Sequence, residues 1–249
     1  MENSSKKSLK IALLGYGKMG KEIEEMAINA GHSIALIIDT ENDWKQKGKE
    51  LAKADVAIDF SMPKTAIQNI EKCFAANVPI VVGTTGWYAD FETIKRKCQA
   101  ENQSLFYATN FSLGVNIFDT INKKLAAIMN RFPDYDISIS ETHHTQKLDA
   151  PSGTAISLAA GILENTDRKT HWELVQNQEI IPSNILPIKS FRIEQVPGTH
   201  EITYNSAVDE IKISHQAKNR KGFAKGALLA AEWINDKKGV YSMIDLLAL

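Results

Sequence analysis

The sequence predicts an α/β fold in two parts: a parallel sheet with helices on both faces, then a second α+β domain built on an open mixed sheet. Three observations predict it. Up to residue 108, short apolar runs alternate with segments of helical period, the pattern of a parallel sheet covered on both sides. A glycine-rich turn joins the first apolar run to the first helical segment. Between residues 188 and 216, strand-like stretches follow one another with hardly any helix, which marks a separate sheet.

Residues 9–14 form a short apolar run ending at Gly15 and read as a buried strand. Residues 18–30 read as a helix closed by Gly31. The next run, 33–38, ends at Asp39, and a third covers 55–60. Pro63 then opens a helix to about residue 76, and a fourth run, 79–82, leads into Gly83-Thr84-Thr85-Gly86. Residues 87–101 are helical and 104–108 make a fifth strand. A long helix is predicted over 115–131. Residues 135–141 alternate apolar with polar, as in a strand with one wet face, and a polar loop and a helix over 153–165 follow. Strands are expected at 188–194, 200–205 and 210–215. An Ala- and Leu-rich helix over 223–234, a short strand near Val240 and a terminal apolar helix suit the first domain, so the chain is expected to return to it. The expected boundaries are 1–112 with 221–249 for the first domain and 113–220 for the second. There is no internal repeat and no low-complexity segment.

The chain has 249 residues, 43% apolar and 24% charged, a globular composition. Its net charge of −1 offers no basic surplus for nucleic acid or an anionic membrane, so any anion site must be built locally. Residues 1–8 are polar and lysine-bearing, without the apolar core of a signal peptide. No run approaches the length of a membrane span. Cys73 and Cys98 lack metal-ligand spacing and read as reduced thiols. The expectation is a cytoplasmic protein.

Gly15-Tyr16-Gly17-Lys18-Met19-Gly20 matches G-x-G-x-x-G between a strand and a helix, the context in which that motif holds a dinucleotide in a Rossmann-type domain. The first glycine permits the tight turn, the second lets backbone approach a pyrophosphate, and the third lets helix and strand pack closely. The helix N-terminus offers N–H groups to the phosphates. Asp39 ends the second strand where an acid holds the ribose hydroxyls; the alternative is a cap on the chain from Thr40. A carboxylate there disfavours a 2′-phosphate, while Lys18 offers to offset it. NADH is therefore expected as cofactor, with NADPH possible. Three more strand ends form a row along the same edge: Asp59-Phe60-Ser61, Gly83-Thr84-Thr85-Gly86, and Ala108-Thr109-Asn110-Phe111-Ser112. Gly83 and Gly86 would let backbone touch a flat ring, and Thr85 and Asn110 can bond a carboxamide.

The richest stretch runs from Glu141 to Thr154. His143, His144 and Lys147 lie within five residues, and Pro151-Ser152-Gly153-Thr154 then starts a helix. Such a start gathers unpaired N–H groups and hydroxyls into an anion site. With His144 and Lys147 it suits a carboxylate-bearing substrate, leaving one histidine for proton transfer. A metal held by the histidine pair with His200, His215 or Asp149 is disfavoured by Lys147 alongside, and none is expected. His200 and His215 read as structural. Arg192 and Arg220 read as domain-joining ion pairs, and Trp44 and Trp172 as surface or packing.

Residues 141–155, Glu-Thr-His-His-Thr-Gln-Lys-Leu-Asp-Ala-Pro-Ser-Gly-Thr-Ala, closely resemble the hallmark E-x-H-H-x-x-K-x-D-A-P-S-G-T-A of dihydrodipicolinate reductases. The segments from Asn110 to Asn116, from His215 to Arg220 and from Phe223 to Leu228 fit the same family, and the resemblance covers the chain from about Lys10 onward. It implies a reductase of lysine and diaminopimelate biosynthesis. A nicotinamide hydride would add to C4 of a small cyclic dicarboxylate, 4-hydroxy-tetrahydrodipicolinate. It also implies a homo-oligomer, a homotetramer joined through the sheets of its substrate domains. By position, His143 is the acid/base residue, Lys147 a proton donor, and His144, Ser152, Gly153 and Thr154 hold substrate. Gly15 to Gly20, Asp39, Gly83 to Thr85 and Ala108 to Phe111 contact the cofactor. Lys18 stands where many members have arginine, and Met62 where some have a basic residue, which bears on coenzyme preference. The other readings are a related two-domain dehydrogenase, such as an aspartate dehydrogenase or a sugar-acid reductase, and a non-catalytic dinucleotide-binding redox sensor. A sensor needs the glycine turn but not the His-His-x-x-Lys loop.

Overall fold

A computed structural model describes residues 8–176, 180–219 and 221–249. Arg220, for which an ion pair is expected, lies outside the described residues, as do residues 1–7 of the polar N-terminal stretch. The chain divides into two compact units, one of residues up to 113 together with those from 221, the other of residues from 114 onward in between.

The first unit is a six-stranded sheet. Its strands are β1 (Lys10–Leu14), β2 (Ser33–Ile38), β3 (Val56–Asp59), β4 (Ile80–Val82), β5 (Ser104–Tyr107) and β11 (Gly239–Tyr241). All its pairings are parallel, in the order β11-β5-β4-β3-β1-β2. Period-two alternation sends side chains to both faces. Ile11, Leu13, Val56, Ile58, Val81 and Phe106 pack with Ile23 and Ala27 of α1 (Lys18–Asn29) and with Ala227, Ala231 and Ile234 of α7 (Lys221–Ile234). Ala12, Leu14, Ala57, Ile80, Val82 and Leu105 pack with Phe74 of α3 (Pro63–Ala75) and Ile94 of α4 (Phe91–Ala100). Each fully buried aliphatic side chain contributes roughly 1.5–3 kcal/mol. α7 covers this face together with α1, which is why the chain returns. A buried clip secures the return: the Leu9 N–H donates to His32 Nδ1 at 3.1 Å, and His32 Nε2 meets Glu232 at 3.0 Å. Cys73 of α3 and Cys98 of α4 are buried in the same core as free thiols. The short α2 (Glu41–Lys47), absent from the sequence reading, follows β2; α8 (Met243–Leu247) ends the chain.

The second unit is a five-stranded mixed sheet, ordered β10-β9-β6-β8-β7. Its strands are β6 (Asp136–His143), β7 (His171–Leu174), β8 (Ile185–Arg192), β9 (Gly198–Asn205) and β10 (Glu210–Ala217). β6 and β7 each pair parallel with β8, whereas β9 pairs antiparallel with β6 and with β10. One face packs on α5 (Leu113–Met129) and α6 (Gly153–Leu163) through Phe118, Met129, Leu158 and Ile162. β6 extends two residues past its expected end and takes His143 out of the loop and into the strand. β7 was not expected, and β8 starts three residues early, at Ile185. Trp172 packs partly buried against this core, the role read for it from sequence.

Candidate active site

Each unit carries a candidate site of its own. In the first unit strand order reverses beside β1, since β2 lies on one side and β3 on the other. Ligands bind beyond the carboxyl ends of strands at such a switch point. A cleft of about 600 Å³ opens there, lined by Gly15, Tyr16 and Gly17 after β1, Asp39 after β2, and Ser61 and Met62 after β3. A second of about 440 Å³ adjoins it, with Lys18, Met19, Gly83, Thr84 and Thr85 in its wall. Gly20, Ala108, Thr109, Asn110 and Phe111 are not in the lining of either.

The glycines divide their work as the motif requires. Gly15 has φ of +91°, and a Cβ there would sit 2.3 Å from the Phe60 carbonyl oxygen. At Gly20 a Cβ would meet the Gly15 oxygen at 2.4 Å, whereas at Gly17 nothing lies within 4 Å. The turn is thus tight at its first and third glycines and open at the second, where a pyrophosphate would lie, and these residues fit a dinucleotide. Gly83 has a different use: its missing side chain makes room for the Phe60 ring, which a Cβ would strike at 2.2 Å. Its backbone still lines the second cleft. Phe111 is buried in the core, and the Asn110 side-chain carbonyl accepts the Ser112 N–H at 2.8 Å.

Asp39 is exposed at the rim, and its Oδ1 accepts the Tyr16 N–H at 2.7 Å, which ties the end of β2 to the glycine turn. It caps nothing: Thr40 is the N-cap of α2, in a capping box with Asp43. A second carboxylate therefore stands beside Asp39. Hydrogen bonds from Thr40, Asp39 and Lys47 hold Asp43 well below the usual carboxylate range, so it is ionised. Trp44, read as surface or packing, lines the cleft, with its indole N–H on Asn69 Oδ1 at 3.1 Å. Asn69 in turn donates to Asp59 at 2.7 Å. Asp59 is buried and also accepts from Ser61 and Thr84, so the Thr84 hydroxyl is spent on the fold. Burial pushes the Asp59 carboxyl up, against the pull of these bonds.

The site in the second unit grows from the core-facing row of β6. That row reads Ile137, Ile139, Glu141, His143, all buried. Its neighbours on β8 are Ile188, Ser190 and Arg192, and on β9 Ile202 and His200. The core therefore ends in polar layers under the start of α6. Glu141 is almost fully buried, and both its oxygens accept the Ser152 N–H, at 3.0 and 3.1 Å; Ser190 Oγ donates to Oε1 at 2.6 Å. Burial raises its pKa, but the bonds from Ser152 and Ser190 and the nearby His143 together hold it below the ordinary value. Ser152 Oγ caps the helix by accepting the Ala155 N–H at 3.2 Å. Of the first N–H groups of α6, those of Gly153 and Thr154 remain for an anion, and a Cβ at Gly153 would meet nothing within 4 Å.

His143 is 7% exposed. Burial lowers its pKa, Glu141 opposes this, and Lys147 and Arg192 add to it, so the ring is neutral at neutral pH. Lys147 Nζ pairs with both oxygens of Asp149, at 2.8 and 2.9 Å. Arg192 donates to the carbonyls of Lys147 and Asp149, at 3.3 and 2.6 Å. Its bonds are local to this loop and to Phe191, which corrects the domain-joining reading. His200, read as structural, lies against His143 with ring centroids 5.1 Å apart, its Nε2 3.1 Å from Ser152 Oγ. His215 stacks on Phe118 at 6.0 Å. Among the described residues, Glu141, His143 and His200 bring ligand atoms within 4.8 Å of one another. Glu141 is already occupied by Ser152 and Ser190, and Arg192 stands 3.6 Å away, a poor donor set for a cation. Sequence reasoning gave no role to Glu141, Ser190 or Gly198; only the strand period, carried two residues further, would have aligned Glu141 with His143.

Two family profiles match the chain: "Dihydrodipicolinate reductase, N-terminus" over residues 9–111 and "Dihydrodipicolinate reductase, C-terminus" over 114–247. A protein of Christiangramia forsetii named 4-hydroxy-tetrahydrodipicolinate reductase is 47% identical over 240 residues, 96% of this chain and 98% of that one. One of the same name from Lawsonia intracellularis is 33% identical over 268 residues, 96% of this chain and 99% of that one. The dipicolinate-bound dihydrodipicolinate reductase from Paenisporosarcina sp. TG-14 superposes with a TM-score of 0.74 at 23% identity, covering 96% of this chain and 99% of that one, a likeness of fold.

Proposed function

From the premise that the chain belongs to the dihydrodipicolinate reductase family, we propose that it reduces 4-hydroxy-tetrahydrodipicolinate to tetrahydrodipicolinate with a nicotinamide dinucleotide. The observation that carries this reading is the site in the second unit, which gathers a neutral buried imidazole, an ammonium and an open helix start. A redox sensor has no use for that set.

A dihydronicotinamide, when bound, supplies the hydride. Gly15, Gly17 and the start of α1 hold its pyrophosphate, and Asp39 the ribose hydroxyls. Thr85 and the segment from Ala108 to Phe111 flank the nicotinamide. Gly153, Thr154 and His144 grip the substrate carboxylates. The C4 hydroxyl of the substrate first departs as water with a neighbouring ring hydrogen, which leaves the unsaturated ring that accepts the hydride at C4. Lys147 leaves Asp149 for the substrate and, with His143, delivers the proton that balances the hydride. Orientation and charge complementarity are the protein's main contributions.

The coenzyme is NADH in this reading, with NADPH used less well. Asp39 faces the position of a 2′-phosphate, and ionised Asp43 adds to the repulsion. The enzyme is cytoplasmic and a homotetramer joined through the sheet of the second unit. Among the described residues no helix is long and apolar enough to cross a membrane. The test supplies the product of dihydrodipicolinate synthase and follows NADH and NADPH oxidation separately. Substrate-dependent oxidation, faster with NADH, is expected. No oxidation with either coenzyme rejects the function, and NADPH binding at least about tenfold tighter (1.4 kcal/mol) rejects the role of Asp39.

A further inference from the structure

Glu141 is a carboxylate sealed in protein beside the imidazole that the proposed chemistry uses. It sits two residues before His143 on the same buried row of β6. The Ser152 N–H fixes its plane by donating to both oxygens, and the Ser190 hydroxyl anchors Oε1. Its Oε2 lies 3.5 Å from His143 Nδ1. That nitrogen is buried and makes no hydrogen bond. An imidazole in this position has two neutral forms. With the proton on Nε2, a bare Nδ1 lone pair would face a carboxylate lone pair in a dry site. With the proton on Nδ1, the N–H points to an acceptor that tightens as the site closes on substrate, as catalytic hydrogen bonds do. The tautomer of a histidine is set in this way by the partner of its other nitrogen.

A second observation comes from β9. Gly198 begins that strand and lies against the other side of the ring, where a Cβ would stand 3.0 Å from His143 Nε2. Its φ is not in the left-handed region, so backbone conformation does not demand glycine. The missing side chain lets the imidazole edge that carries Nε2 lie against bare backbone. One nitrogen of His143 therefore faces a fixed carboxylate, and the other lies beside a residue with no side chain.

We propose that Glu141 is a positioning residue: it holds the proton of His143 on Nδ1 and so makes Nε2 the atom that exchanges a proton with substrate. Through the Ser152 N–H the same carboxylate locks the imidazole to the start of α6, so that the acid/base group and the carboxylate cradle are set by one buried charge. The other charged or titratable groups facing His143 are Arg192 on β8, His200 on β9, and Lys147 and Asp149 in the loop. Arg192 and Lys147 are donors only, and the Asp149 carboxylate is held by Lys147. His200 Nε2 is engaged with Ser152 Oγ. Glu141 Oε2, 3.5 Å from Nδ1, is the acceptor set against it.

This inference rests on His143 as the acid/base residue, and the experiment separates the two. The tautomer of His143 is read by long-range 1H–15N NMR in the wild-type protein, and turnover is measured in Glu141→Gln, Glu141→Asp and His143→Gln. The expected result is protonated Nδ1 and bare Nε2 in the wild type. In Glu141→Gln the tautomer changes and kcat falls roughly 10–100-fold, the range seen when a carboxylate orienting a metal-bound imidazole is lost. NADH affinity should be unchanged. Glu141→Asp keeps the charge and should retain more turnover than the isosteric Gln. A bare Nδ1 in the wild type overturns the proposal, and that measurement needs no variant to fold. So does a Gln variant that outperforms Asp, or one that loses turnover with its tautomer unchanged. Near-normal turnover in His143→Gln would instead remove the acid/base role on which the inference stands.

Discussion

Two side chains carry the proton chemistry of this account, and each predicts its own variant. Removing a group used only in the transition state lowers kcat and leaves ground-state binding alone. General acid–base assistance is worth about 10²–10⁴-fold. His143→Gln and Lys147→Gln should each lower kcat by roughly that factor, with cofactor affinity little changed in a titration that doubles as a folding control. Near-normal turnover in both would free the loop from proton transfer. His200 gives a separate prediction through pH. Burial, aided by the charge of His143, pushes its pKa from 6.5 down to about 4. The unfolded chain then binds more protons than the folded one between those values. Stability from this group is complete above pH 6.5 and is lost as pH falls toward 4, a span on the order of 3 kcal/mol. His143 and His215 are shifted the same way by burial and add to the loss. Urea titrations at neutral and mildly acidic pH should show the drop, and His200→Asn should reduce it; a wild type equally stable at both would refute the assignment.

At the scale of elements, the helix start and the strand ends decide binding. Thr154→Val deletes one donor at the start of α6, so it should raise KM several-fold and leave kcat nearly intact. A fall in kcat with KM unchanged would move Thr154 from grip to chemistry. Asp39→Ala removes the ribose acceptor and one of two carboxylates, so it should weaken NADH more than NADPH by titration; equal weakening would contradict the role given to Asp39. Most of this layout was legible because it follows from period. Apolar runs of the β1 kind are bounded by glycine or aspartate, and G-x-G-x-x-G sits where strand meets helix. What stayed hidden lacked a period. α2 buries no residue and stands on its capping box and the Lys47–Asp43 pair, so no apolar stripe announces it. β8 contains Pro187, which argues against a strand; its pairing with β6 begins only at Ile188, past the proline. The site itself was half visible. His143 and Lys147 stand out as charge in a loop, whereas Glu141, Ser190 and His200 look like ordinary strand residues until register sets them side by side.

At the scale of the whole molecule, assembly and reaction can be tested directly. Among the described residues β7 and β10 are the outermost strands of the second sheet, and Phe191 of β8 and Ile193 just beyond it are 48% and 55% exposed. Unpaired edges and exposed apolar side chains call for cover. A homotetramer by light scattering at micromolar concentration is the expected outcome, and a monomer would refute it. The central claim is that one chain joins a dinucleotide held by its first unit to a cyclic dicarboxylate held by its second, and moves a hydride between them. The most direct measurement is isotopic. NADH carrying deuterium at both C4 positions is supplied with the product of dihydrodipicolinate synthase, and tetrahydrodipicolinate is examined by mass spectrometry. The account predicts one deuterium retained in the product, at C4, at a rate that collapses in His143→Gln. Product formed without deuterium, or coenzyme oxidised with no deuterium transferred to the ring, would contradict it.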